Sequence, residues 1–122
     1  MLKKTVNYVD YNGVERKEDF YFNLSKAEIT EMELSVDGGL TQMIKGIIDA
    51  KDNKEIMKLF KGIILKAYGE KSADGKRFVK SEEISKAFSE TEAYSELFIE
   101  LLMDEQKAAD FIKAILPADL NK

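Results

Sequence analysis

The sequence predicts an α+β fold, mostly α: an N-terminal β-hairpin followed by a compact bundle of about five to six short helices. Three observations carry that expectation. β-prone residues flank Asn12-Gly13 near the start. Later apolar residues recur at helical spacing. Ser, Asp and Gly punctuate those clusters at short intervals. The length of 122 residues suits one domain over 1–122, with the hairpin in 1–24, the helical region in 25–117 and a short tail in 118–122.

"KTVNYVDY" and "VERKEDFYF" form the arms of the expected hairpin. With Asn12 and Gly13 as a two-residue type I′ loop, Tyr11 faces Val14, Val9 faces Arg16 and Thr5 faces Phe20. Phe20 and Phe22 then share a face with Val9 and Tyr11, and Val6, Tyr8 and Tyr21 occupy the other. A two-stranded ribbon is marginal alone, so it must rest on the helices or lend an edge to another chain.

The strand turns into a helix at "NLSKAEI". Ser25 is an N-cap with Glu28 three residues on, a capping box, and Leu24 can staple onto Ile29. The first helix covers Lys26 to about Leu34. After Gly38-Gly39 a second begins near Leu40, with Leu40, Met43, Ile44, Ile47 and Ile48 on one side. Asp52, with Glu55 in support, caps a third, whose apolar stripe is Ile56, Leu59, Phe60, Ile63, Ile64 and Ala67. Gly69 reads as the residue that ends it. "EKSADGKRFVK" reads as a loop, or a small turn about Asp74-Gly75 anchored by Phe78 and Val79. Ser81 caps "EEISKAF", and Ser89 with Glu92 forms another capping box. "TEAYSELFIELLM" turns Tyr94, Leu97, Phe98, Leu101 and Leu102 inward. The last helix, about Glu105 to Leu116, buries Ala108, Phe111, Ile112 and Ile115, and Pro117 ends it.

Composition narrows the chemistry. The chain has no cysteine and no histidine. Thiolate chemistry is excluded, and so are the commonest base near neutral pH and the commonest metal ligand. Serines that cap helices have no histidine to activate them. Glycine at position six of a calcium loop puts Glu70, Ser72 and Asp74 at one, three and five, but Arg77 at eight and Ser81 at twelve, so the loop fails. "GGLTQMIKG" lacks phosphate-loop spacing. Glu28, Glu31, Glu33, Glu82 and Glu83 suit caps and first helical turns better than acid–base pairs. No catalytic, metal-ligating or cofactor-binding residue is expected, and no cofactor.

The formal net charge is −4. That disfavours nucleic acid, whose phosphates demand a basic footprint. No apolar run nears the ~20 residues that span a bilayer, and "MLKKTVNYVD" is not read as a signal peptide. No membrane partner is expected. The charge is uneven: residues 40–80 carry a net of +5 and residues 81–110 a net of −7. The candidate protein-contact residues follow from this polarity and from exposed bulk: Lys54, Lys58 and Lys61 as a basic strip, Glu92, Glu96 and Glu100 as an acidic one, Tyr21 as an aromatic anchor, and Met32 among the methionines, with Met43, Met57 and Met103. The acidic strip repels itself at i,i+4 spacing, a cost that a basic partner or a neighbouring copy would relieve.

Running sequence adds a family likeness. "YVDYNGVERKEDFYFNLSKAEITEMEL", "GGLTQMIKGIIDAKDNKEIMKLFKGIILKAYGEKSADGKRFVKSEEISKAFSETEAYSELFIELL" and "ADFIKAILPADL" resemble the tail assembly chaperones of long-tailed phages and prophages of Gram-positive bacteria. The resemblance implies a non-enzymatic protein, the short form encoded upstream of the tape-measure protein. It implies that the chain binds the tape-measure protein and keeps it soluble during tail-tube assembly. The frameshifted long form, the tail-tube protein and further copies of the chain are the other implied partners. The implied location is the host bacterial cytoplasm during assembly, with absence from the mature virion. The alternatives are a structural tail component, tube or completion protein, retained in the virion, and a small phage-encoded regulatory protein-binding domain.

Overall fold

A computed structural model describes residues 1–33 and 53–117. In chain order the elements are β1 (Leu2–Val9), β2 (Glu15–Phe22), α1 (Lys26–Glu33), α2 (Asn53–Ala67), β3 (Tyr68–Lys71), β4 (Phe78–Val79), α3 (Glu82–Ser89), α4 (Glu92–Met103) and α5 (Glu105–Ile115). The strands form one antiparallel sheet in the order β1-β2-β3-β4. The helix expected from Leu40 and the Asp52 cap lie outside the described residues.

The first hairpin forms, but one residue out of the predicted register. Val9 pairs with Glu15, Thr5 with Asp19 and Leu2 with Phe22. The cause is the loop. The Gly13 N–H donates to the Asp10 carbonyl at 2.9 Å, and the Asp10 carboxylate accepts the Asn12 and Val14 N–H groups. Only Gly13 takes a positive φ, at 78°; Asn12 does not, whereas a type I′ turn requires it at both central residues. The loop is therefore three residues, Tyr11 to Gly13, with the glycine as a bulge. A one-residue slip exchanges the faces of β1. Leu2, Val6 and Tyr8 join Phe20 and Phe22 on the inner face, while Val9 points outward, 51 % exposed, and Tyr11, in the loop, is 75 % exposed.

The switch from β2 to α1 follows the expected box. The Glu28 N–H donates to Ser25 Oγ at 3.2 Å, and the Ser25 N–H to Glu28 Oε1 at 3.0 Å. Leu24 and Ile29, the staple pair, are both buried.

Two expectations about chain punctuation are corrected. Gly69 does not end a helix in a left-handed turn; it lies within β3, opposite Tyr21. A Cβ there would sit 2.7 Å from the Phe78 ring and 2.9 Å from the Val79 carbonyl, so glycine serves close strand approach. The expected turn about Asp74-Gly75 is present, but its arms pair as β3 and β4, a second hairpin within the otherwise helical region. Ser89 is not the cap of α4. It is the last residue of α3, and its hydroxyl donates back to the Lys86 carbonyl. Thr91 caps α4, accepting the Tyr94 N–H at 3.2 Å. Ser81 caps α3 as expected.

The helices cover the inner face of the sheet, and rings dominate the contact. Phe88 stacks on Tyr68 at 4.1 Å between centroids and meets Phe20, Phe22 and Tyr94. Phe22 also meets Phe111 edge-on. Ile63, Ile64, Leu97, Leu101 and Ile115 complete the fully buried set. Each such side chain contributes roughly 1.5–3 kcal/mol by leaving water. Among the described residues no buried side-chain polar atom lacks a partner.

Candidate protein-interaction surface

Helix α2 buries Phe60, Ile63, Ile64 and Ala67. Helical periodicity then sends Lys54, Met57, Lys58 and Lys61, at i, i+3, i+4 and i+7, to the opposite face, where all four are exposed. The three lysines of the expected basic strip are thus all exposed on α2.

The acidic strip takes a different place. Helix α4 runs along the inner side of β1, antiparallel to it. Lys4 donates to Glu100 at 3.3 Å and Lys107 reaches the same carboxylate oxygen at 3.2 Å. The Tyr11 hydroxyl hydrogen-bonds Glu92, which holds its pKa above the ordinary phenol value. Glu100 and Glu92 thus help seat the first hairpin, and Glu96 is the exposed member. Beside it on the outer face of α4 stand Ile99 and Met103, 59 % and 82 % exposed.

Tyr21 is half-buried on the outer face of the sheet, with the Lys71 ammonium 4.7 Å from its ring centroid. Met32 is buried in the core; Met57 is exposed; Met43 lies outside the described residues. Sequence reasoning left Ile99 out of the inward set of α4 but did not name it as a contact residue. It also missed Val9, Tyr11 and Val14, an exposed apolar tip on the hairpin. Only the correct loop type turns Val9 outward and leaves Tyr11 in the loop.

The clefts offer little chemistry. One, of about 580 Å³ and open to solvent, lies between the hairpin and α4, lined by Tyr8, Arg16, Lys17 and Glu96 among others. A second, of about 600 Å³, follows β2 and β3 past Tyr21 and Lys71. Among the described residues no group of three His, Cys, Asp or Glu side chains could hold a metal ion. Glu28 is fully engaged: Lys80 donates to it at 2.6 Å and to the Asn23 carbonyl at 2.6 Å. Burial works to raise its pKa, but the Lys80 ammonium and the Ser25 N–H outweigh burial and hold it below the ordinary carboxylate value.

The described surface thus carries exposed lysines on α2 and, on α4, Glu96 beside exposed Ile99 and Met103. The family model for phage tail assembly chaperones matches residues 1–122. The chain belongs to that family, so its general role is non-enzymatic and lies in phage tail assembly. Comparison with curated proteins and with solved structures returns no match.

Proposed function

We propose that this chain binds the phage tape-measure protein and keeps it soluble while the tail tube assembles around it. Family membership over residues 1–122 carries the reading. The exposed residues Ile99, Met103, Met57 and Tyr11 support it, because a holdase needs many weak, releasable apolar contacts rather than one deep pocket. On this reading the chain acts in the host bacterial cytoplasm and is left out of the finished particle. The frameshifted long form and the tail-tube protein are its further partners.

Co-expression with the tape-measure protein tests the proposal. The client should move from the pellet to the supernatant and co-purify with the chain. An insoluble client that never co-purifies would overturn it. The four-stranded sheet keeps one other reading in play, a structural tail component, because it is a larger platform than the single hairpin expected from sequence. Mass spectrometry of purified particles separates the two: the chaperone is absent, the structural component present.

A further inference from the structure

The sheet is open along one side of β2. At the mouth of the first hairpin loop the Asp10 N–H donates to the Val14 carbonyl at 2.9 Å. Counting by twos down the register from that pair, Arg16, Glu18, Phe20 and Phe22 turn their backbone groups toward β1, while Glu15, Lys17, Asp19 and Tyr21 turn theirs away. Tyr21 meets Gly69 on that far side, and beyond the strand the Asn23 N–H donates to the Ala67 carbonyl at 2.8 Å. There the pairing stops. After Gly69, β3 parts from β2 and pairs through Glu70 and Lys71 with β4. Among the described residues no strand covers the outward N–H and C=O groups of Glu15, Lys17 and Asp19. The parting of β2 and β3 opens the cleft of about 600 Å³, walled by residues 18–21 on one side and 68–73 on the other.

We propose that this cleft takes up an extended, cationic peptide segment of another protein, which pairs with the β2 edge along the line that β3 abandons. The main-chain groups of Lys17 and Asp19 supply the attachment, as in other sheets that accept an added strand. Charge selects the sign of the guest. The lining carries Glu18, Asp19 and Glu70 against Lys71 alone, and the Lys71 ammonium already lies over the Tyr21 ring. Asp19 accepts from the Thr5 hydroxyl and Glu18 from the Tyr8 hydroxyl, both neutral donors. Among the described residues none of the three carboxylates makes an ion pair. Farther along the edge Glu15 and Lys17 offset each other. Charges that blunt an open edge against acidic strands favour a basic one. The segment need not come from the tape-measure protein, so the inference stands apart from the holdase reading.

Titration of the full chain with short capped peptides, followed by amide NMR and hydrogen exchange, tests it. The probe is Lys-Val-Lys-Val-Lys. It should bind saturably, and exchange should slow at the Lys17, Asp19 and Lys71 amides. Thr5 and Asn7, whose N–H groups face the opposite edge of the sheet, should not respond. The same peptide with alternate amides N-methylated keeps its charge but cannot form a ladder, and should bind at least about tenfold more weakly. Glu-Val-Glu-Val-Glu keeps the ladder and reverses the charge, and should also bind at least about tenfold more weakly, by less in high salt. Because every arm uses the unaltered chain, a failure of folding cannot mimic a loss of binding. No saturable binding of the lysine peptide, equal binding of its N-methylated or acidic counterpart, or protection at Thr5 and Asn7 in place of Lys17 and Asp19 would each overturn the proposal.

Discussion

The two hairpins use the same closing device and reach different ends. In the first, Asp10 accepts backbone N–H groups and Gly13 supplies the positive φ. In the second, Asp74 accepts the Lys76 N–H and Gly75 takes a φ of 74°. Yet β1 and β2 run eight residues each, while β3 has four and β4 two. The first hairpin ends in Phe22, fully buried; the second closes with Phe78 and Val79, both half-buried. Turn chemistry decides where a hairpin bends. Its depth in the core is decided by which side chains follow.

The largest test of that contrast is aromatic truncation. Phe22→Ala should cost about 3–5 kcal/mol in urea unfolding, because it empties a site shared with Phe88, Tyr68 and Phe111. Phe78→Ala should cost about 1 kcal/mol, as befits a partly exposed ring. Equal costs would abolish the distinction. Next comes Gly69→Ala, expected to cost about 1–3 kcal/mol, since the Val79 carbonyl cannot step aside as a ring edge can.

The loops give a finer reading. Gly13→Ala and Gly75→Ala should each lose about 1–2 kcal/mol from the left-handed backbone. Asn12→Ala should stay within about 0.5 kcal/mol, because Asn12 needs no such conformation. A large Asn12 effect would restore the type I′ turn and its register. The smallest effect is acid-dependent. Lys80, just beyond β4, clasps Glu28 and Asn23, just beyond β2. The folded pKa of Glu28 lies below its ordinary 4.5. Its contribution is therefore present above about pH 4.5 and is lost as pH falls through the lower folded value. Lys80→Met should flatten the fall in stability between about pH 5 and pH 2; an unchanged slope would place that acid sensitivity elsewhere.

These contrasts mark where sequence is readable. Ser25 and Glu28 were legible because a capping box needs only four neighbouring residues. The stripes of α2 and α5 were legible because helical period is local. Register was not, since Asn12-Gly13 spells two loop types and the choice rests on the Asp10 side chain. The second hairpin was hidden because two-residue β4 has no pattern to display. Ser89 misled because Thr91, two positions on, competes for the same cap. On the candidate surface, the lysine strip of α2 was visible from spacing. The engagement of Glu92 and Glu100 with the first hairpin was not, because Tyr11 and Lys4 are distant in the chain.

The contact between Leu24, whose N–H donates to the Ile115 carbonyl at 2.8 Å, bears on how the protein comes into being. A ribosome exposes the first hairpin long before it delivers α5. Until Phe111 and Ile115 emerge, Phe22 and Leu24 have no complete shelter, and native closure waits on contacts spanning most of the chain. A nascent chain stalled before α5 should therefore stay sensitive to protease, whereas one stalled after Pro117 has cleared the exit tunnel should resist.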